Sequence, residues 1–229
     1  MFLHSAKLDW VTQNAEQTIA RHARVSTKNP DREEFAGLLS YCIKHSHWSV
    51  FEQAAASFEI FTTRAISPQI LRHRSFCFQE FSQRYSNPLD TFDCSEVPAY
   101  LFGLRKQAEK NRQSSVDGLD PDVQNALWER VQGIDTQIRE LYEDMIASGV
   151  ARECARNLLP LYTPTRLHMQ GSIRSFLHYV GLRGQQDTQL EHRLIAREIG
   201  RLLEKELPLI VAAVKKADLE SLKGWTTLL

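Results

Sequence analysis

Between residues 31 and 47 the chain reads DREEFAGLLSYCIKHSH, with apolar side chains at Phe35, Leu38, Leu39, Cys42 and Ile43. Recurrence every three or four residues predicts an amphipathic helix. Its acidic start and basic end suit the helix dipole. The pattern then alternates in AAASFEIFTTR (54–64), with Phe58, Ile60 and Thr62 on one side, and predicts a strand. Ser67 before Pro68 reads as an N-cap and first-turn proline, opening a short helix through Leu71. Residues 86–100 hold Asn87, Pro88 and Pro98 and read as loop. Asp120-Pro121 opens a long helix whose stripe Val123, Leu127, Val131, Ile134, Ile138, Leu141 and Met145 reads as buried, with Gly149 at its end. ARECARNLLP (151–160) reads as a short helix stopped by Pro160, and LYTPTRLHMQ (161–170) as extended. SIRSFLHYVGLR (172–183) returns to helical period with Ile173, Phe176, Leu177 and Val180. The last clear helix runs from about Thr188 to Leu207 and meets Pro208. Helices dominate, with a few strands in the middle, so the expected class is α+β. No composition break divides the chain, and residues 1–229 read as one domain.

Composition narrows the function. The 229 residues carry 28 Lys plus Arg and 28 Asp plus Glu, without the basic excess of a non-specific nucleic-acid binder. Cys42, Cys77, Cys94 and Cys154 form no CxxC pair and suggest neither a zinc knuckle nor a disulfide framework. Reduced thiols are the plain reading. The start, MFLHSAKLDW, lacks the form of a signal peptide. No run approaches the ~18 apolar residues that read as a membrane span. A soluble, cytoplasmic protein is expected, with neither a membrane nor a nucleic acid as partner.

Against this balanced background one stretch stands out. RHRSFCFQEFSQRY (72–85) packs three arginines, a histidine and Glu80 among aromatics. A guanidinium is a planar fork of donors that fits phosphate or carboxylate. Arg72, Arg74, Arg84, Arg156, Arg174 and Arg183 are the candidates. If residues 76–84 are extended, Phe76, Phe78, Glu80, Ser82 and Arg84 share a face. That face offers an acceptor, a hydroxyl and a cation, which suits a base or sugar beside a phosphate. The bland alternative is a solvated turn. Ser82 as a nucleophile would need a general base, and His73 is the only local histidine. His45 and His47 at i,i+2 lack an obvious third metal ligand, so no metal is expected. No GxGxxG or GxxxxGK[ST] occurs, so a nucleotide would not be held in a Rossmann or P-loop manner.

These residues resemble the signature of the flavin-dependent thymidylate synthases: Arg72-His73-Arg74, then Glu80, Ser82 and Arg84-Tyr85. ARVS (23–26), KHSHWSVFE (44–52), ARECARNLLP and SIRSFLHYVGLR look like that family's other segments, in the same order. The resemblance implies a compact, mostly helical α+β domain around a small sheet, assembled as a homotetramer with active sites where subunits meet. It implies synthesis of dTMP from dUMP, with methylenetetrahydrofolate as carbon donor and NADPH-reduced FAD as hydride source. Arg72, His73 and Arg74 match residues that hold FAD, and Arg72 also borders dUMP. Glu80 matches a residue at the junction of both ligands. Phe81, Ser82, Gln83 and Arg84 match the dUMP-binding stretch, with Gln69, Ile70 and Leu71 on its upstream side. Ser49, Arg174 and His178 match flavin contacts, and Ser172 stands where a flavin-contacting Asn is typical. Arg156 matches an arginine on dUMP. Arg183 matches the arginine that favours ionisation of the uracil ring, so Arg183 and Ser82 are the expected catalytic residues. Gln79 stands in place of the usual Asn and Cys77 where Ser is common. The competing readings are a metal-dependent nucleotide hydrolase using His45, His47, His73 and Glu80, and a non-catalytic nucleotide-binding module.

Overall fold

The computed structural model describes residues 4–92, 104–217 and 219–226. In chain order the elements are β1 (Ser5–Val11), α1 (Ala15–Ala23), α2 (Ala36–Lys44), a 3₁₀ turn (Trp48–Gln53), β2 (Ala55–Thr63), α3 (Ser67–Ile70) and β3 (Phe76–Glu80). There follow α4 (Pro88–Thr91), β4 (Lys106–Gln107), β5 (Ser115–Val116), α5 (Pro121–Ala147), α6 (Arg152–Ala155) and a 3₁₀ turn (Arg156–Leu158). The rest is β6 (Pro164–Ser172), α7 (Ile173–Arg183), α8 (Leu190–Glu206), α9 (Pro208–Ala217) and a last 3₁₀ segment (Glu220–Trp225). The main sheet has the order β1-β2-β6-β3, and β4 and β5 form a separate small hairpin. The expected α+β class holds, although the sheet begins with the first strand of the chain rather than in its middle. Among the described residues no helix is long and apolar enough to cross a membrane.

Contacts divide the chain into two compact units. The first takes residues 4–60, 70–79 and 168–229. Within it, Ile173 N donates to Ala54 O at 2.8 Å, tying the end of β6 to the approach to β2. Phe58, Ile60, Leu39, Ile43, Phe176, Leu177 and Val180 are fully buried. Phe176 meets Phe58 and Phe76 edge-on, with ring centroids 5.0 and 4.8 Å apart. Gly171 leaves room for this: a Cβ there would collide with the Phe76 ring. Across the chain ends, Glu16 Oε1 accepts from Ile210 N at 2.8 Å and so caps α9 in place of a local side chain.

The second unit takes residues 61–69 and the described part of 80–167. Here Arg64 N donates to Thr163 O and Phe81 N to Arg166 O, the antiparallel ends of β2, β6 and β3. Phe61, Phe81, Leu89 and Tyr162 pack around Phe92.

Several expectations change. The helix over 31–47 is confined to 36–44: no acidic residue lies in its first turn, and Arg24 instead grips the carbonyls of Arg32 and Glu34 at 2.6 Å. Ser67 does not serve as a simple cap; its hydroxyl donates to Glu80 Oε1 at 2.7 Å. The loop over 86–100 contains one helical turn capped by Asn87, and its part from 93 onward, with Cys94, lies outside the described residues. The helix expected from Thr188 starts at Leu190, and Pro208 opens a further helix instead of ending the helical region, because proline lacks only an N–H that a first turn leaves unused. Asp120 caps α5 as expected, through Asp122 N and Val123 N. Its apolar stripe is not buried: Val123, Leu127, Ile134 and Leu141 are 40–55% exposed. The face it buries carries Tyr142 and Asp135, the latter gripped by Tyr162 at 2.6 Å and Arg139 at 2.5 Å. Periodicity shows that a face is apolar, not what covers it.

Candidate functional site

The second unit gathers Gln69, Glu80, Phe81, Ser82, Gln83, Arg84 and Arg156. Strand β3 alternates as predicted only through Glu80, where it ends. A turn follows, in which Tyr85 N and Ser86 N both donate to Ser82 O at 3.0 Å. Ser82 and Arg84 therefore do not extend the face of Phe76 and Phe78. They point to solvent, while Gln83 is 8% exposed. Gln83 Nε2 is buried without a hydrogen-bond partner among the described residues. Glu80 is anchored through one oxygen, Oε1, which takes Ser67 Oγ at 2.7 Å, Thr165 Oγ1 at 3.0 Å and Arg64 Nη1 at 2.5 Å. Arg84 reaches Glu153 Oε2 at 3.0 Å. Arg156, on the 3₁₀ turn after α6, is half-buried with no ion pair among the described residues. Phe81 joins the small aromatic cluster. Within one unit these groups offer hydrogen-bond donors and, in Arg156, a cation, the kinds of group a nucleoside monophosphate requires.

The first unit gathers Ser49, Arg72, His73, Arg74, Ser172, Arg174, His178 and Arg183, with Ile70 and Leu71. Ile70 is fully buried and Leu71 is exposed. His73 N donates to Ile70 O and Phe76 N to His73 O, a tight turn that turns Arg72 and Arg74 outward. Neither arginine has an ion pair among the described residues. Helix α7 carries Arg174, His178 and Arg183 at its start, middle and end. Ser172 Oγ caps it, accepting from Ser175 N at 3.2 Å. Arg174 Nη1 donates to Glu52 Oε1 at 2.8 Å. The Ser172 hydroxyl and Arg174 together hold the Glu52 carboxyl below its usual range. Trp48 meets His178 edge-on at 4.6 Å. Beside them lies an open cleft of about 580 Å³ lined by His22, Ala23, Val25, Ser49, Val50 and Gln53. Its size and its mix of small apolar and hydroxyl groups suit a planar cofactor ring. The outward Arg72 and Arg74 suit a pyrophosphate. The residues present thus fit a flavin.

At the end of α7, Arg183 Nε donates to His73 Nε2 at 2.9 Å. That bond requires a neutral His73. Burial and the adjacent guanidinium pull its pKa down to about 4. Behind it, Tyr179 Oη and His192 Nε2 are 3.0 Å apart, and burial pulls His192 down to about 3. Both histidines titrate below their ordinary value of 6.5, so each lends stability above pH 6.5 that is lost as pH falls. We expect urea midpoints to drop between pH 6.5 and pH 4, and His192→Gln to flatten that drop by about 3 kcal/mol. An acid limb of equal depth in His192→Gln would rule this out.

Four of these residues escaped the sequence reading. Glu52 lay within the quoted KHSHWSVFE, and Arg64 at the end of a predicted strand, where an arginine before a turn was a usable signal. Tyr179 and His192 gave none, since spacing cannot show that side chains 13 positions apart on different helices meet. His45 lies tilted against Tyr41 at a centroid distance of 4.3 Å, and His47 meets the same ring edge-on at 5.6 Å. Among the described residues no group of three or more His, Cys, Asp or Glu is placed to hold a metal ion.

Comparison with known proteins bears on the family and the fold. Residues 7–209 match the family described as thymidylate synthase complementing protein. A flavin-dependent thymidylate synthase of Synechocystis is 43% identical over 91% of this chain and 93% of its own. A probable flavin-dependent thymidylate synthase of Paramecium bursaria Chlorella virus 1 is 42% identical over 92% and 98%. The fold is shared with a UMP/dUMP methylase, PolB, of Streptomyces cacaoi, solved with 5-Br dUMP, at TM-score 0.75 and 23% identity over 94% of this chain and 97% of that one. On the family match and the identity to these relatives, the chain belongs to the flavin-dependent thymidylate synthases.

Proposed function

We propose that this protein methylates dUMP to dTMP in the cytoplasm, with residues 1–229 working as one synthase domain. The observation that carries the reading is Arg183. Its Nε is tied to a neutral His73, and its terminal amino groups have no partner among the described residues. A half-buried guanidinium held this way favours the anionic form of a uracil ring, which lowers the pKa of a ring N–H and makes C5 the better nucleophile. C5 then forms a bond to the methylene carbon of methylenetetrahydrofolate and loses its proton, and the bonds from that carbon to the folate nitrogens break, releasing tetrahydrofolate. When bound, FAD reduced by NADPH supplies the hydride that completes the methyl group. Arg156 and Arg84 hold the phosphate, and Gln83 gives its unpartnered amide N–H to the nucleotide. Exposed Ser82, with no base bonded to it among the described residues, orients the uracil. Glu80 fixes the nucleotide's surroundings through the oxygen not taken by Ser67, Thr165 and Arg64. Ser49, Arg72, His73, Arg74, Arg174 and His178 position the flavin. Ser172, whose hydroxyl already caps α7, supports Glu52 and Arg174 there.

The test is the absorbance of the purified protein. A flavin spectrum that bleaches with NADPH under anaerobic conditions, and returns only with dUMP and methylenetetrahydrofolate, is expected; a protein that takes up no FAD would overturn the reading. Within it, Arg156→Ala raises the Kd for dUMP by about 10- to 100-fold, the loss of a charge-assisted contact, and leaves FAD affinity within a few-fold. Equal losses for both ligands would remove Arg156 from the nucleotide.

The exposed stripe of α5 supports self-association as a homotetramer with active sites where subunits meet. Aligned Val, Leu and Ile along this helix, which starts at a well-formed cap, form the kind of contiguous apolar patch that a second copy covers. Ile134→Glu with Leu141→Glu shifts the protein to smaller species in sedimentation; an intact tetramer would place the interface elsewhere.

A further inference from the structure

We propose that Tyr179 and His192 are positioning residues for this reaction, clamping His73 so that its Nε2 lone pair holds the Arg183 guanidinium in one orientation. The inference rests on the reading that Arg183 acts on the uracil ring. Arg183 makes its bond to His73 through Nε, at 2.9 Å. A guanidinium is rigid and planar, so one fixed Nε–H sets the direction of both terminal amino groups. The acceptor must therefore be equally fixed. His73 can accept at Nε2 only with its proton on Nδ1, and only with its ring plane containing the Arg183 Nε–H direction.

The ring's surroundings enforce this. Tyr179 meets it edge-on, centroids 4.9 Å apart and planes at 81°, and Phe76 stands edge-on at 6.4 Å. Tyr179 and Arg183 lie one turn apart on α7, so the wall and the guanidinium share one backbone. The Tyr179 ring is itself fixed by Oη, 3.0 Å from His192 Nε2 on α8. His192 also lies edge-on to His73, at 6.2 Å. Both Tyr179 and His192 are buried, at 1% and 0% exposure. His192 Nδ1 is buried without a partner among the described residues, a costly feature that an aliphatic residue would avoid. Stability alone does not account for this pair. Orientation of the guanidinium that faces the uracil ring does.

Tyr179→Phe keeps the edge-on ring and removes the hydroxyl. The expected result is a kcat about tenfold lower, with KM for dUMP and flavin content unchanged within about twofold. In Arg183→Lys, which has no Nε–H to give His73, turnover falls, and adding Tyr179→Phe costs nothing further. His192→Gln, whose amide can still meet Tyr179 Oη, keeps kcat near that of the parent protein, whereas His192→Leu matches Tyr179→Phe. On flavin-free protein labelled with ¹⁵N-histidine, His73 shows a single Nδ1–H tautomer that becomes mixed in Tyr179→Phe. An unchanged kcat and an unchanged His73 signal in both Tyr179→Phe and His192→Leu would overturn the proposal. Equal losses from Tyr179→Phe in the parent protein and in the Arg183→Lys background would overturn it too, leaving a purely structural pair. If Arg183→Lys itself keeps full turnover, the reading of Arg183 fails instead.

Discussion

Arg183→Ala lowers kcat by roughly 10³-fold while flavin stays bound, the loss expected when a preorganised cation is removed from the charge that develops in the reaction. Three features place the effect on the chemical step. The guanidinium sits at the last residue of α7, where its Nε is occupied and its amino groups have no partner among the described residues. Of the groups proposed to hold the flavin, only His73 is bonded to it among the described residues; Arg174 is held separately by Glu52 at 2.8 Å. Removing the guanidinium also leaves His73 Nε2 without its donor, which loosens the ring but takes no cation from the cofactor's phosphates. Single-turnover kinetics with dUMP and methylenetetrahydrofolate, beside the absorbance of bound flavin, separate the two functions. Turnover at the parent level would end the assignment; loss of the flavin band would move Arg183 to the cofactor.

Gly181→Ala destabilises the protein by about 3 kcal/mol, at the upper end of overpacking costs. α7 and the Glu220–Trp225 segment approach backbone to backbone. A Cβ on Gly181 would meet Ser221 O and, at 2.8 Å, Leu222 Cα. The approach is reciprocal, since a Cβ on Gly224 would strike the carbonyls of Val180 and Gly181. Neither obstacle is the end of a flexible side chain, so no change of rotamer relieves it. Close by, Trp225 Nε1 donates to Leu177 O at 2.8 Å, and the Trp225 ring is fully buried. The clamp thus holds the helix that carries Arg174, His178 and Arg183. Urea midpoints of the two proteins measure the cost, and a change below about 0.5 kcal/mol, the range of an ordinary surface substitution, would show that the two backbones part easily.

Much of the fold was legible in the order of residues. Helical period located α2, α5 and α7, and alternation located β2, because apolar side chains recur with the period of the local element. Asp120 before Pro121 marked the start of α5 through purely local chemistry, a side-chain oxygen reaching N–H groups two and three residues on. The first strand, the first helix and the helix after Pro208 were not read. The first strand and first helix carry few large apolar residues, and a proline that ends one helix is equally fit to begin another.

The candidate site divides in the same way. Arginine density around residues 72–84 marked a candidate binding stretch, and the resemblance of that motif and of the other segments, in their order, pointed to the family. Both depend on residue type, which the chain carries directly. Only the tertiary structure decided which groups remain available and which are already taken. It ended β3 at Glu80 and so turned Ser82 and Arg84 out of the predicted face while sealing Gln83 inside. It committed Ser67, Thr165 and Arg64 to one oxygen of Glu80. It exposed the stripe of α5 and buried Asp135 in its place. It also set Tyr179 and His192 behind His73. A hydrogen bond depends on distance and direction between atoms far apart along the chain, and no local spacing encodes either.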